Sequence, residues 1–228
     1  MKLVEFETHC HTKETSICSK ISAGDIIRAY AEKGYNAVFI TDHFYAKFFD
    51  RPDLKRLDWK DKADKYLAGY RAAKKTGREC GVNVLLGMEV QPADAPYDFL
   101  VFGMEEGDVY DMEDAYRLEM PEMYEYMHEK GYLVFQAHPY RYGLQPAAPE
   151  HYDGIEIFNA HPRHNSRNKH ALNFAYEHDL LTIAGSDVHR LEDVGRSGVM
   201  MPEDIRTEKD FVHYYRTVGS PELIIICD

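Results

Sequence analysis

The chain has little cysteine, a single tryptophan and no long apolar run, and each scarcity narrows its class. The four cysteines, Cys10, Cys18, Cys80 and Cys227, form no CxxC pair and are too sparse for a disulfide scaffold, so reduced thiols are expected. No stretch is long enough to span a bilayer, and Met1-Lys2-Leu3-Val4-Glu5 lacks the apolar core of a signal peptide; the expectation is a cytoplasmic protein with no membrane partner. Lysine and arginine number 27 against 39 acids, are scattered, and leave a net charge of -12. That balance argues against an extended nucleic-acid surface. No internal repeat, low-complexity tract or linker interrupts the 228 residues, which read as one α/β domain over 1–228.

What is present is a series of short apolar runs, each followed by residues that bind metals. Thr8-His9-Cys10-His11-Thr12 closes the first of them. In an extended strand, residues two apart project from the same face, so His9 and His11 can hold one cation together or stand side by side in solvent. Asp187-Val188-His189 repeats the spacing after Leu180-Leu181-Thr182-Ile183-Ala184. Between the two pairs, Thr41-Asp42-His43 follows Ala37-Val38-Phe39-Ile40, Glu89 follows an apolar run ending at Met88, and His138 follows one ending at Ala137. Candidate ligands at the carboxyl ends of separate strands are what the open end of a β/α barrel assembles. Imidazole and carboxylate donors suit Zn, Mn or Fe, and carboxylates that bridge suit two or three divalent metal ions together. Such ions would offset part of the acidic excess where the carboxylates converge.

The segments between these runs read as helices. Ser22, with Asp25 three residues on, caps a helix whose face carries Ile26, Ile27, Tyr30 and Ala31 and which Gly34 ends. Apolar strands alternating with helices imply a parallel sheet. The pattern continues with a helix over 59–80, strands at 82–88 and 97–103, a methionine-bearing helix between Pro121 and Gly131, and strands at 132–137 and 154–159. Asn165 is placed to cap the next helix, after which come strand 180–185, a helix at 207–217 and a last strand at 223–226. Residues 44–58, aromatic and basic by turns, leave directly from His43; a lid and an aromatic loop packed on the barrel rim are both open.

Taken in order, His9-Cys10-His11-Thr12, Ile40-Thr41-Asp42-His43, Gly87-Met88-Glu89, Ala137-His138-Pro139 and Gly185-Ser186-Asp187-Val188-His189 resemble the successive motifs of the polymerase and histidinol phosphatase (PHP) family of metal-dependent phosphoesterases. The resemblance spans residues 9 to 189 and implies a distorted (β/α)7 TIM-like barrel. It also implies one metal position at His9, His11, Glu89 and Asp187, with Glu89 bridging to a second ion held by Asp98 and His138. Asp98 stands where the family commonly carries a histidine. A third position would use His43 and His189, but the ligand expected shortly after the His-x-His pair is missing from Ser16-Ile17-Cys18-Ser19, because isoleucine cannot coordinate. Three alternatives follow: a weakly held third ion, a Cys18 thiolate as the missing ligand, or only two ions.

Around these ligands, Asp42 is placed to orient one of them, as carboxylates often do for metal-bound histidines. His161 and His164 follow a strand end; His161 is the candidate proton donor to a leaving group, with water as the alternative. Arg141, Arg163, Arg190 and Arg196 also follow strand ends, and a forked guanidinium suits phosphate oxygens. His128, His151, His170, His178 and His213 read as surface residues. The expected activity is hydrolysis of a small phosphomonoester or short nucleotide by a metal-activated water. The alternatives are an idle metal-binding or regulatory domain, a nuclease-type phosphodiesterase, and an amidohydrolase; the last would place a lysine at a strand end, where none stands.

Overall fold

Each short apolar run becomes a strand of one sheet. In the computed structural model, which describes residues 2–226, β1 (Leu3–Glu7) leads to α1 (Ala23–Lys33), β2 (Ala37–Ile40) and the two-residue β3 (His43–Phe44). Next come α2 (Ala46–Phe49), α3 (Trp59–Tyr66), α4 (Ala68–Cys80), β4 (Asn83–Val90) and β5 (Phe99–Phe102). The chain continues through α5 (Met120–Glu129), β6 (Leu133–Gln136), β7 (Gly154–Asn159), α6 (Asn168–Glu177) and β8 (Leu181–Gly185). It ends with β9 (Ser197–Pro202), α7 (Glu208–Thr217) and β10 (Glu222–Ile225). The order across the sheet is β10-β9-β1-β2-β4-β5-β6-β7-β8, with β3 beside β4, and β8 comes back against β9 and β10 to give a nearly closed barrel.

The pairs β1–β2, β2–β4, β6–β7 and β7–β8 are parallel, as the strand–helix alternation requires. Two departures have a simple cause. β5 runs antiparallel to both β4 and β6, and β9 antiparallel to β1 and β10. Only residues 91–98 join β4 to β5 and only 186–196, with a single 3-10 turn at Leu191–Asp193, join β8 to β9, without an α-helix in either; a parallel crossover needs a dozen residues or more, so the chain turns back. The reversal brings Asp98, which enters β5, to the end of the barrel where the parallel strands finish.

Local signals act largely as expected. Ser22 accepts from Asp25 N, and Gly34 closes α1 with φ 86°, a left-handed conformation that glycine adopts without a Cβ penalty. The helix expected over 59–80 is two helices meeting at Leu67, the first capped by Asp58. Asn165 does not cap α6: Arg167 holds that position with φ 50°, and Asn165 accepts its backbone N–H.

Residues 44–58 are packed rather than open. Phe44, Phe48 and Phe49 are buried, and the Phe49 ring lies 4.5 Å from Tyr116 and 5.2 Å from Trp59. Trp59 Nε1 donates to the Val109 carbonyl, so the indole is satisfied as well as buried. A second aromatic cluster fills the barrel, where Phe39, Phe102, Phe135, Phe211 and Tyr215 meet, the last two supplied by α7. Among the described residues no helix is long and apolar enough to cross a membrane.

Candidate metal centre

Glu89, at the end of β4, is the hub of the site. Its Oε1 lies 3.2 Å from His9 Nε2 and 3.1 Å from His138 Nε2, while its Oε2 lies 3.3 Å from His11 Nε2 and 2.9 Å from His43 Nδ1. Asp187 Oδ1 sits 3.6 Å from His9 Nε2, 3.5 Å from His11 Nε2 and 3.3 Å from His189 Nδ1. Asp98 Oδ2 is 3.9 Å from His138 Nε2. All eight residues expected as ligands therefore converge. They fall into overlapping trios whose donor atoms lie within 4.8 Å of one another: His9, Glu89 and His138; His9, His11 and Asp187; His11, His43 and His189; His43, Glu89 and Asp98.

The donor set fits divalent cations. His9 and His11 turn their Nε2 atoms toward each other at 3.1 Å between two buried carboxylates, and a single shared proton satisfies only one such contact. His11 Nδ1 and His138 Nδ1 are buried without a hydrogen-bond partner in the described residues. Burial pushes the Glu89 and Asp187 carboxyls up, yet both are held well below the usual carboxylate range, Glu89 by His43, His9 and His11, and Asp187 by His9, His11 and Arg141. Burial, with the charge of Glu89, lifts Asp98 to about 6. Burial and neighbouring His43 lower His11 to about 3, leaving it neutral and able to donate a lone pair.

Backbone geometry is unusual where ligands sit. His138 has φ 30° and Asp187 φ 55°, conformations that persist for non-glycine residues only where surrounding contacts over-determine them. Two buried acids do much of that work, and sequence reasoning passed over both. Glu156, in β7, accepts from His9 Nδ1 at 2.9 Å, from the His138 backbone N–H at 2.8 Å and from Asn159 Nδ2 at 3.0 Å. Glu7, in β1, accepts from the backbone N–H groups of Thr8, His9 and Ser186 and from the Tyr30 hydroxyl. The available signal was an acid inside an apolar run, Ile155-Glu156-Ile157. Gly185 lets β8 approach β1: a Cβ there would stand 2.4 Å from His9 Cβ.

The remaining candidates separate. Asp42 contacts no imidazole ring among its hydrogen bonds; its carboxylate accepts from Thr12 N, Thr12 Oγ1 and Ser16 Oγ, and burial raises it to about 6. It braces the loop after β1, and reaches His43 only because Ser16 Oγ accepts the His43 backbone N–H. His161 is buried, and both its ring nitrogens face donors of Arg163, the backbone N–H at 3.3 Å and Nη2 at 3.2 Å. Burial, with His189 and the arginines, lowers it to about 4, so it carries no proton to give at neutral pH. That counts against the expected acid role.

Of the four arginines, Arg141 reaches the ligands: its Nη2 donates to Asp187 Oδ2, and to Asn159 Oδ1 at 3.3 Å. Arg163 forms a forked pair with Asp193, which also accepts the His189 and Arg190 backbone N–H groups. The Arg190 side chain is 51% exposed and 3.6 Å from Glu192. Arg196 precedes β9, its backbone N–H donating to Ser186 Oγ. Ile17 turns outward, 56% exposed, whereas Cys18 is half-buried. Burial raises the Cys18 thiol, the nearby His189 and His43 outweigh it, and the result is about 7. Cys10, Cys18 and Cys80 are free thiols, as expected; Cys227 lies outside the described residues. Of the histidines expected at the surface, His128, His170, His178 and His213 are exposed and His151 is half-buried.

A barrel that gathers imidazoles and carboxylates from the ends of its strands defines a class, the metal-centre barrels. The chain belongs to the PHP family: the PHP domain model matches residues 7–187, and a PHP-associated model matches 165–217. No curated protein matches. Among solved structures, a two-domain protein from Bacteroides vulgatus containing a predicted PHP-like metal-dependent phosphoesterase superposes with a TM-score of 0.72 at 15% identity, over 99% of this chain and 65% of that one. A lesion-specific endonuclease from Pyrococcus furiosus gives 0.67 at 16%, over 97% of this chain and 58% of that one. An amidohydrolase from Chromobacterium violaceum gives 0.57 at 13%, over 98% and 99%. The chain thus spans less than two thirds of the first two, and at these identities the likeness is one of fold.

Proposed function

We propose that this protein hydrolyses a small phosphomonoester or short nucleotide, using two or three divalent ions held by His9, His11, His43, Glu89, Asp98, His138, Asp187 and His189. The observation that carries this reading is Arg141, a guanidinium bonded to a ligand carboxylate at the edge of a buried imidazole–carboxylate cluster and itself 20% exposed. There it can fork onto two phosphoryl oxygens of a substrate lying on the cluster. Ions of this kind supply a water of lowered pKa and neutralise charge developing on phosphoryl oxygens.

The chain's own residues do the positioning. Glu156 fixes the His9 ring by accepting from its Nδ1 and fixes the His138 backbone. Asn159 donates to Asp187 Oδ2 at 3.1 Å, setting that carboxylate beside Arg141. With His161 neutral, the leaving oxygen takes its proton from water. The net charge of -12 favours a small, self-contained substrate over a long polyanion.

The fold shared with an endonuclease keeps a phosphodiesterase as the second reading. An amidohydrolase with a bridging lysine is disfavoured, because no lysine among the described residues is buried. The test is turnover of p-nitrophenyl phosphate, bis(p-nitrophenyl) phosphate and a p-nitroanilide by protein reloaded separately with Zn2+, Mn2+ and Fe2+. The monoester should be hydrolysed fastest. Turnover of the anilide alone would overturn the proposal, and a faster diester would move it to the second reading.

A further inference from the structure

We propose that Arg163 is a positioning residue: with Asp193 it forms a latch between the loops after β7 and β8 that holds the His189 backbone at the metal centre. This rests on reading the centre as a divalent-metal site and goes further, taking Arg163 away from the phosphate and giving it, with Asp193, a role exerted through another residue.

The argument begins with Asp193, whose side chain is fully buried. A carboxylate withdrawn from water has to be met by opposite charge and by donors, and this one is met by four. Its Oδ1 accepts from Arg163 Nη1 at 2.7 Å, while its Oδ2 accepts from Arg163 Nη2 at 2.5 Å, from the His189 N–H at 3.0 Å and from the Arg190 N–H at 2.8 Å. One carboxylate thus ties a guanidinium from the β7 side to the backbone of a candidate ligand on the β8 side.

His189 needs such a hold. It lies beyond the end of β8, after Asp187 with φ 55°. Val188 is still bonded to the neighbouring chain, its N–H donating to the His9 carbonyl and its carbonyl accepting from the His11 N–H. One residue further, His189 is held at its N–H by Asp193 and at its carbonyl by the Lys20 N–H, 2.8 Å away. Arg163 is itself anchored, because Asn159 Oδ1 accepts the His161 N–H at 3.2 Å and the Ser166 hydroxyl at 3.1 Å on either side of it.

Donor atoms of His161, His189 and Asp193 lie within 4.8 Å of one another, a grouping that could by spacing alone hold a cation. The guanidinium supplies the positive charge there. Its Nη2 is 3.2 Å from His161 Nε2 as well as on Asp193, and the buried His161 ring stands edge-on to His189 with centroids 5.2 Å apart. The fork that would clasp a phosphate is therefore occupied, and an ammonium could replace its charge but not its planar geometry.

The experiment reads metal affinity before turnover. Zn2+ affinity is measured by competition with a chelator in full-length wild type, Arg163→Ala, Arg163→Lys and Asp193→Asn, and kcat and KM for p-nitrophenyl phosphate are measured on the Zn2+-loaded proteins. We expect Arg163→Ala and Asp193→Asn to hold their weakest ion roughly 10–100-fold less tightly. Their kcat should fall while KM stays within about twofold, since Arg163 makes no contact with substrate. Arg163→Lys should lie between, and guanidinium chloride at millimolar concentration should restore part of the affinity of Arg163→Ala. A check free of any folding defect uses wild type alone: the His189 and Arg190 amides should exchange slowly with and without Zn2+, because the latch is built of protein groups. Fast exchange at these amides, unchanged Zn2+ affinity in Arg163→Ala, or a raised KM with full metal overturns the latch and leaves the phosphoesterase reading standing. Wild type that binds Zn2+ without turnover sinks the phosphoesterase reading alone, since affinity and exchange still report the latch; no bound Zn2+ overturns both.

Discussion

At the scale of single residues, the site is governed by which lone pairs point inward and what keeps them so. Glu156 is the clearest case. Buried and accepting from His9 Nδ1, it holds that ring in the tautomer whose Nε2 faces Glu89 and Asp187. Replacing a partner of this kind costs metal-ion affinity roughly 10–100-fold, so Glu156→Gln should weaken metal binding by that factor in competition with a chelator. Unchanged affinity would show that β7 alone positions His9. Asp98 predicts a pH dependence with a definite sign. Its carboxyl keeps its proton up to about 6 against an ordinary 3.8, so protons compete with the cation below that pH and affinity should fall as pH drops through it. Asp98→Asn should flatten this part of the profile and lower affinity at pH 7.

The convergence of these imidazoles and carboxylates was legible in the sequence because the position of His, Glu and Asp after apolar runs survives without knowledge of the fold, although Asp187 and His189 lie beyond β8, with Asp187 at φ 55° rather than in an extended strand. Glu156 and Glu7 were not, since an acid within a strand shows its purpose only when the neighbouring strand supplies the donors. Nor could position at a strand end separate Arg141 from Arg163, Arg190 and Arg196, because direction depends on Asp187, Asp193 and Glu192 in the folded protein.

At the scale of elements, close approach and aromatic packing set the geometry. Gly185 in β8 lies against His9, and an alanine there would drive the two strands apart. Gly185→Ala should cost about 1–3 kcal/mol in thermal denaturation and weaken metal binding together. The segment after His43 is tied down by Phe44, Phe48 and Phe49 against Trp59, Tyr66 and Tyr116. Phe49→Ala should destabilise by about 3–5 kcal/mol, and the amides around Phe49 should be protected from hydrogen exchange; fast exchange there in wild type would revive a lid. The aromatic composition of 44–58 was plain from sequence, but whether those rings cover a site or pack on one another is decided by Tyr116, far along the chain. The direction of β5 was likewise readable only from the brevity of the 91–98 connection.

At the scale of the molecule, a barrel of modest size turns imidazoles and carboxylates toward one another at one end. Cations bound there would add their binding free energy to the folded state, so metal removal should lower thermal stability. A ligand at 100 times its dissociation constant stabilises by about 2.7 kcal/mol per site, and the shift on chelation should be of this order or larger. The whole-chain reading from sequence, an α/β barrel with its ligands at one end, was accessible because strand ends recur with the same chemistry. The antiparallel closure through β9 was not, since nothing local in Ser197–Pro202 encodes its partner.

The most direct test of the account is metal content and phosphate-ester turnover measured on the same preparations: wild type as purified, after chelation, after reloading, and an Asp187→Ala variant. The account predicts two or three ions per chain, turnover lost on chelation and regained on reloading, and a variant that is folded, metal-poor and inactive. Tightly bound ions with no turnover of any phosphate ester, or turnover indifferent to chelation and to the loss of Asp187, would contradict it.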